Sequence, residues 1–414
     1  MQYDPGAVMD CFGNFMVIWT DKRNGFYDTY AQRFNSSGAP LGSNFKLPMQ
    51  LYGGIGSDCF GNFVIAWEGF GINAQRYNST GTPLDTVFKV NDDVEYPWGN
   101  SHLWPAVSMD LGGDFVITWA DNRNIYPFDI FAQRYDYQGH TLGSNFKVNS
   151  NYGADHSAPV VAMFTDRNFV ISWPDQRNYS NHYMWDIYAR VYSFSGSPVG
   201  PDFKVNDDTS PSNHSAPSIA MDSYNNFIIT WQDQRNGNPD VYAQRFDSLG
   251  NPVGKNYLVP NQEYASFVQI SPAVTFMNSN IFFAWTDNRR AKGYDVYAKV
   301  VDWSWTKVGE HENAAIPNSF ELSQNYPNPF NPTTRIQFRV GSLEFGDPLN
   351  TTLKIYNILG QLVRTLVDEE KAPGKYEVIW DGKDVSGKEV SSGLYFYQLK
   401  TRDYIATKKM VLLR

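Results

Sequence analysis

The chain has 414 residues, a formal net charge of −9 and an aromatic content of 16%, with 32 glycines and 23 prolines along its length. The negative charge repels phosphate backbones, and no dense Lys/Arg block or run of ~20 apolar residues is present, which excludes nucleic acid as a partner and a membrane-spanning helix. Many aromatic residues with frequent glycine and proline favour short strands joined by tight turns.

A tandem repeat occupies the first three quarters of the chain. A tryptophan inside a variant of Asn-Phe-Val-Ile-Thr-Trp-x-Asp recurs every 48 to 58 residues, at Trp19, Trp67, Trp119, Trp173, Trp231 and Trp285. Each unit reads as four short strands, of which the second is apolar on both faces and the third is half polar. This gradient is typical of the blades of a propeller, so residues 1–306 are predicted to form an all-β, six-repeat β-propeller.

The repeat region contains both cysteines of the chain. Cys11 and Cys59 stand at the same place in consecutive repeats. Equivalent points on neighbouring blades are expected to lie farther apart than the ~7 Å that a disulfide tolerates between Cα atoms, which predicts two free thiols.

The sequence also begins almost directly at a strand, without an export signal, so we expect that a leader and further blades precede it.

A different domain follows a polar connector at residues 307–319. The segment Phe320–Thr334 reads FELSQNYPNPFNPTT, in which closely spaced prolines exclude a helix or a central strand. Six strand-like runs between residues 335 and 413, separated by glycine-containing turns, predict an immunoglobulin-like β-sandwich over residues 320–414.

The tail resembles a known family. Its strings YPNPFNPTT, LKIYNILGQLVRTL and WDGKDVSGKEVSSGLYFYQL, with a basic and apolar C-terminal end, are similar to the C-terminal sorting domain of type IX (Por) secretion substrates. A similar sandwich occurs in the flagellar hook-capping Ig-like domain. The resemblance implies export through the type IX translocon and processing by a sorting peptidase. It assigns the sorting motif to Tyr326, Pro327, Asn328, Pro329, Phe330, Asn331, Pro332, Lys408 and Lys409.

The repeats resemble uncharacterised units of bacterial exported proteins that carry Trp-x-Asp-x-Arg-Asn-Gly and Asp-Ile-Tyr-Ala-Gln-Arg, a resemblance that covers residues 5–305 and implies no activity. In five of the six repeats an aspartate stands two residues before an arginine. Because a catalytic group is needed once and a structural group in every blade, these aspartates are interpreted as structural. Glutamates are rarer in the repeats, and Glu68 and Glu263 are weak candidates for catalysis. A glycosidase needs two carboxylates that face each other, and the sequence gives no reason to pair these two.

Other candidate residues lie in the inter-repeat segments. His102, His156 and His214 each precede a proline by three residues and are weak candidates for a metal site, although equivalent blade positions are too far apart for easy convergence on one ion. Hydrogen bonding between blades is the favoured interpretation of these histidines. Aromatic insertions point to a binding face for a glycan or a surface protein, made by Trp98, Trp104, His182, Tyr183 and Trp185.

Together these patterns predict a non-catalytic binding protein, without a cofactor, that is secreted or displayed on the outer surface of a Gram-negative bacterium. Two alternatives remain open at this stage. One is an extracellular hydrolase acting on carbohydrate, and the other is a structural component of an adhesion or surface layer.

Overall fold

The computed structural model describes residues 2–23, 25–48, 53–93, 101–123, 127–151, 153–163, 167–178, 184–209, 211–260, 267–277, 280–289, 293–305, 320–340, 349–371, 374–401 and 404–413. These residues form an all-β structure that divides into two compact units, Met1–Lys307 and Val308–Arg414. None of the described segments is a helix of the length and apolar character that a membrane crossing requires. The predicted connector at 307–319 lies outside the described residues.

The first unit contains six antiparallel sheets in chain order, here called sheets 1 to 6. Sheet 1 holds β1 (Gln2–Met9), β2 (Phe15–Asp21), β3 (Asp28–Phe34) and β4 (Phe45–Lys46). Sheet 2 holds β5 (Gly53–Ser57), β6 (Phe63–Gly69), β7 (Gly71–Tyr77) and β8 (Phe88–Lys89). Sheet 3 holds β9 (His102–Met109), β10 (Phe115–Asp121), β11 (Asp129–Tyr135) and β12 (Phe146–Lys147).

The remaining sheets of this unit repeat the same order. Sheet 4 holds β13 (Val160–Met163), β14 (Phe169–Asp175), β15 (Asp186–Tyr192) and β16 (Phe203–Lys204). Sheet 5 holds β17 (His214–Met221), β18 (Phe227–Asp233), β19 (Asp240–Phe246) and β20 (Pro252–Leu258). Sheet 6 has three described strands, β21 (Gln269–Met277), β22 (Asn280–Asp287) and β23 (Asp295–Asp302). Each of the six sheets is a meander in which consecutive strands are neighbours.

The turn between the first two strands of a sheet is built by an aspartate. In sheet 1, Asp10 Oδ1 accepts hydrogen bonds from the backbone N–H groups of Phe12 and Asn14, both at 2.8 Å. Gly13 completes the turn with φ +77°, a left-handed conformation that glycine adopts without steric cost. An asparagine, Asn225, takes the corresponding place in sheet 5 with φ 62°.

Neighbouring sheets stack through one repeated apolar contact. Between sheets 3 and 4, Phe169, Ile171 and Trp173 of β14 pack on the side of sheet 3 that carries Val116 and Ala132. The same pairing of an aromatic-rich face with a face of small aliphatic residues recurs at each of the other junctions between consecutive sheets. Because a central sheet is covered on both sides, every residue of β10 and β14 is buried.

The first strands of adjacent sheets converge. A Cβ atom placed on Gly54 of β5 would lie 2.8 Å from the Cα atom of Ala106 on β9, so only glycine fits there. Consecutive meanders whose inner strands converge form a propeller-like array, which confirms the predicted all-β fold class.

The two end sheets of this array each keep one uncovered face. In β2 of sheet 1 and β22 of sheet 6, buried and half-buried residues alternate, unlike in the central sheets. Val296 of sheet 6 is 79% exposed, whereas its repeat counterpart Val241 in sheet 5 is fully buried. The described residues therefore form five inter-sheet cores among six sheets, and ring closure and blade number stay predictions.

Cys11 and Cys59 form a disulfide, so the prediction of two free thiols was wrong. Their Cα atoms are 4.6 Å apart. The prediction assumed that equivalent points on neighbouring blades lie more than ~7 Å apart. These turns, however, lie at the ends of the converging inner strands. There Cys11 N donates to Cys59 O at 3.3 Å, and Cys59 N donates to the carbonyl of Leu111 in the next sheet at 3.4 Å.

The second unit is a two-sheet sandwich. Its strands are β24 (Glu321–Leu322), β25 (Thr334–Val340), β26 (Leu349–Asn357), β27 (Leu362–Lys371), β28 (Gly374–Trp380), β29 (Gly393–Lys400) and β30 (Ile405–Leu412). One sheet has the order β24-β25-β28 and the other β27-β26-β29-β30. Phe330, Trp380 and Tyr397 are buried between them, as in an immunoglobulin-like core.

Reduction of the Cys11–Cys59 disulfide is expected to lower the melting temperature of the chain. The bridge closes a loop across 48 residues, and its loss should cost about 2–4 kcal/mol of unfolding free energy. Differential scanning calorimetry with and without reductant measures this difference. The double variant Cys11→Ser/Cys59→Ser should be insensitive to reductant, and an unaffected wild-type melting temperature would show that the thiols are not paired.

Candidate functional site

A buried carboxylate ends the second strand of five sheets. In sheet 3, Asp121 Oδ2 accepts a hydrogen bond from Trp119 Nε1 at 2.9 Å and from Arg123 Nη2 at 2.7 Å. The guanidinium of Arg123 in turn lies 4.0 Å from the centre of the Phe131 ring, which completes its packing. The same contacts recur at Asp21, Asp175, Asp233 and Asp287. The repeated Trp-x-Asp-x-Arg string is therefore a structural motif.

A second aspartate faces this carboxylate directly across the hairpin. In sheet 4, Asp175 pairs in register with Asp186. Two buried carboxylates at adjacent strand positions repel each other unless cations or donors compensate them. Lys204 and Asn206 supply this compensation, because Lys204 Nζ lies 2.9 Å and Asn206 Nδ2 lies 2.7 Å from Asp186 Oδ1.

The three histidines are buried at the junctions between sheets and do not converge on one ion. His214 Nδ1 is 2.8 Å from the carbonyl of Trp185 in the preceding sheet, and its Nε2 is 3.4 Å from Asp233 of its own sheet. His156 makes the same two contacts, to the carbonyl of Phe128 at 2.7 Å and to Asp175 at 3.1 Å. Each histidine has a separate set of partners, as the interpretation of inter-blade hydrogen bonding predicted.

Two of these junctions place three possible metal ligands within 4.8 Å of one another, namely Asp93, His102 and Asp121, and Asp208, His214 and Asp233. Their carboxylates are already compensated by side-chain cations. Arg123 Nη2 lies 2.7 Å from Asp121 and 3.6 Å from Asp93, and Arg235 makes the equivalent contacts at the second group. A guanidinium in contact with the carboxylates repels an incoming metal ion, so neither group fits a metal centre.

Sheet 2 lacks the contacts among tryptophan, aspartate and arginine that the other five sheets repeat. Gly69 and Gly71 form the cross-strand pair at the place where other sheets have two aspartates, and only Phe70 lies between them. The preceding residue, Glu68, sends its carboxylate to sheet 3, where Oε1 accepts a hydrogen bond from the backbone N–H of Trp104 at 2.7 Å. Burial raises the pKa of Glu68, and the N–H bond from Trp104 acts in the opposite direction.

Trp104 occupies a strained position at the start of β9. Its φ is 54°, in the left-handed region, and the same conformation occurs before a proline in the next three sheets, at Ala158, Ala216 and Ser271. Of these four residues, only Trp104 is a large aromatic. Its side chain is 41% exposed and lies 6.3 Å, ring centre to ring centre, from Phe128.

The carboxylate of Glu68 therefore contacts the backbone of an exposed aromatic residue. Phe70, at the tip of the adjacent hairpin, is 91% exposed. Of the other predicted ligand-binding residues, Trp185 is half-buried and its carbonyl accepts the hydrogen bonds of His214. Trp98, His182, Tyr183 and the candidate Glu263 lie outside the described residues. Among those described, Glu68 and Trp104 are the predicted residues that the structure brings together.

Sequence reasoning missed Asp240 as an individual residue of interest. It is fully buried, and its pKa is raised to about 6 by burial and by the charge of Asp233, against a hydrogen bond from Asn236 that lowers it. The signal was present in the repeat alignment, because sheet 5 has Leu258 where sheets 1, 3 and 4 have a lysine.

In the second unit, the Pro-rich segment is attached to the C-terminal strand. Phe330 N donates to Val411 O at 3.0 Å, and Val411 N donates to Asn328 Oδ1 at 2.9 Å. Phe330 is buried, whereas Tyr326, Pro327, Asn328, Pro329, Asn331 and Pro332 are exposed. On β30, Lys409 is exposed and Lys408 is half-buried.

Comparison with known proteins identifies the tail domain and the fold. Residues 341–403 match the family model of the FlgD Ig-like domain. No curated protein matches the chain. An α-L-arabinofuranosidase of Fusarium graminearum aligns at a TM-score of 0.50 and 11% identity, over 72% of this chain and 92% of that one. An α-L-arabinanase of Penicillium chrysogenum in complex with arabinobiose aligns at 0.50 and 12%, over 73% and 93%.

A third solved structure is PorZ, a surface component of the type IX secretion system of Porphyromonas gingivalis. It aligns at 14% identity over 97% of this chain and 58% of that one, with a TM-score of 0.33. That TM-score is too low to support an argument. The two arabinan-degrading enzymes, at 11% and 12% identity, show the fold of the repeat unit alone.

The stability of the chain is expected to fall between about pH 6.5 and pH 9 because of His214. Burial acts to lower the pKa of His214, but the hydrogen bonds that the imidazole donates to the carboxylates of Asp208 and Asp233 outweigh it and raise the pKa to about 9. A raised histidine pKa adds stability that is complete below the unfolded value of ~6.5 and is lost as pH rises through the folded value. The contribution is on the order of 3 kcal/mol, because one pKa unit corresponds to about 1.4 kcal/mol.

The variant His214→Gln tests this expectation, because sheet 6 carries Gln269 at the same repeat position. Urea unfolding measured from pH 6 to pH 9.5 should show a flatter pH profile for the variant than for the wild type. Parallel profiles would show that His214 is not charged in the folded protein.

Proposed function

We propose that this chain is an exported protein that binds a glycan, without catalysis, on the face formed by sheets 2 and 3. The six sheets are its propeller blades, and the Ig-like tail directs its export. The observation that carries the binding proposal is the hydrogen bond from Trp104 N–H to Glu68, which holds a carboxylate of sheet 2 against an exposed aromatic residue of sheet 3.

This arrangement has the chemistry of a sugar site. The exposed rings of Trp104 and Phe70 offer apolar faces to the C–H groups of a pyranose or furanose. In the described residues Glu68 makes its one hydrogen bond through Oε1, so Oε2 is available to accept from sugar hydroxyls. Sheet 2 lacks the Asp–Arg network, and its hairpin has Gly69 and Gly71 where other sheets carry aspartates.

The hydrolase alternative has less support. A glycosidase generally needs two carboxyl groups about 5–9.5 Å apart across the scissile bond. At the end of sheet 2 the positions that hold aspartates elsewhere are Gly69 and Gly71, so the hairpin of β6 and β7 carries Glu68 without a second carboxylate. The likeness to two arabinan-degrading enzymes is compatible with a carbohydrate ligand, but at this identity it supports the fold and not the reaction.

Replacement of Trp104 by alanine is expected to weaken glycan binding by about tenfold or more, because a stacking aromatic is removed from the centre of the site. A glycan array on the secreted protein identifies the ligand, and isothermal titration calorimetry then compares variants. Glu68→Gln should weaken binding less, because an amide keeps one acceptor oxygen.

The matched control is Tyr224→Ala. It removes an aromatic residue that is 79% exposed, in the turn between β17 and β18 of sheet 5. Its affinity should equal that of the wild type. Unchanged binding in the Trp104 variant contradicts the proposed site. Release of reducing sugar that is abolished by Glu68→Gln would instead support the hydrolase.

The export role of the tail rests on the resemblance of its motifs and on one structural feature. The Pro-rich segment and the last strand, which are about eighty residues apart in sequence, are held together by the Phe330–Val411 and Asn328–Val411 hydrogen bonds. Tyr326, which is 79% exposed, and the exposed Lys409 are thus parts of one domain that a translocon or a sorting peptidase can recognise as a unit.

Deletion of residues 320–414 is expected to abolish surface or medium localisation when the chain carries a signal peptide in a type IX-competent host. The paired substitution Tyr326→Ala/Lys409→Ala should reduce export several-fold without a change in melting temperature, because both side chains are exposed. Lys388→Ala, in an exposed turn of the same domain, is the control. Export that is unchanged by the deletion would leave the tail without a sorting role.

A further inference from the structure

Three sheets place a lysine ammonium on the first aspartate of the third strand. The distances from Nζ to Oδ1 are 2.7 Å for Lys46 and Asp28, 2.8 Å for Lys147 and Asp129, and 2.9 Å for Lys204 and Asp186. The lysine always comes from the short fourth strand and pairs with the aromatic residue two positions after the aspartate. The repeat thus contains a built position for one ammonium ion.

Sheet 5 keeps the aspartate and lacks the ammonium. In its register Tyr242 pairs with Leu258, which occupies the place of the lysine. Pro260 then stands where Asn206 stands in sheet 4, because Val259 and Val205 make the same backbone hydrogen bond to the third strand. Both side chains that compensate Asp186 Oδ1 are therefore replaced by groups without a donor.

The result is an uncompensated carboxylate oxygen. Asp240 is fully buried, and its Oδ2 accepts a hydrogen bond from Asn236 Nδ2 at 2.9 Å. Its Oδ1 has no hydrogen-bond partner among the described residues. A buried carboxylate oxygen without a partner is rare in native proteins, and each instance calls for a bound ion, a water molecule or a proton.

The charged groups nearby do not satisfy this oxygen. Asp233, directly opposite in the hairpin, adds a further negative charge. The cations of the junction, Arg235 and His214, are bound to Asp233 and to its neighbours Asp207 and Asp208. In sheet 6 the guanidinium of Arg289 is bound to Asp287.

We propose that Asp240 holds a small monovalent cation, of the size of ammonium or potassium, at the position that a lysine ammonium occupies in sheets 1, 3 and 4. A single carboxylate provides too little negative charge for Ca²⁺, which takes six to eight oxygen ligands. The complete burial of Asp240 excludes a large organic cation. This site is independent of the glycan surface at sheets 2 and 3.

The test compares the melting temperature of the full chain at pH 7.5 in the chlorides of ammonium, potassium, sodium and choline at equal ionic strength. Ammonium or potassium should raise the melting temperature by about 2 °C or more over choline, because only the folded state offers the site. Asp240→Asn should remove the difference between salts. Leu258→Lys, which copies sheet 4, should remove it as well by supplying a covalently attached ammonium.

A second variant provides the matched control. Lys204→Leu removes the ammonium from Asp186 in sheet 4 and should increase the dependence on ammonium or potassium. Equal wild-type melting temperatures in all four salts would overturn the proposal and assign a proton to Asp240. A salt difference that persists in both Asp240→Asn and Leu258→Lys would overturn it too, because the cation would then bind elsewhere.

Discussion

Five of the six sheets of the repeat unit bury a carboxylate at the end of the central hairpin. Asp175 and Asp186 illustrate the constraint, since they face each other across adjacent strands with no exposure to solvent. Two such charges are tolerable only when donors surround them. Arg177, Lys204 and Asn206 provide these donors within the sheet, and His156 adds one at the junction with sheet 3. The buried carboxylates are therefore compensated partly within each sheet and partly by the contact with the neighbouring sheet.

This network explains why the most repeated residues of the chain are poor candidates for chemistry. Carboxylates that accept from a tryptophan, an arginine and a histidine have no free lone pair directed at a substrate. Function is better sought where the network is interrupted. Sheet 2 replaces it with glycines and directs Glu68 toward Trp104, and sheet 5 keeps Asp240 but replaces its lysine with Leu258. In sheet 2 the change leaves Glu68 beside the exposed Trp104, and in sheet 5 it leaves the buried carboxylate of Asp240 without a lysine.

The tail follows a different principle. Its core depends on Phe330, Trp380 and Tyr397, and its exposed Pro-rich segment is joined to the last strand by backbone hydrogen bonds. Most side chains of that segment are exposed and available for recognition, whereas Phe330 anchors it. A motif of this kind can act as an address without loss of stability, because its structural and recognition roles fall on different residues.

The sequence by itself determined the all-β class, the six repeats, the change of domain near residue 307 and the structural role of the Asp–Arg pairs, because strand periodicity and turn chemistry are local properties. The register of lysine and Asp240, the hydrogen bond of Glu68 and the Cys11–Cys59 bridge were decided by tertiary structure alone. Each depends on the distance between residues on different strands or sheets. Converging inner strands brought the two cysteines to 4.6 Å, and no spacing along the chain encodes that convergence.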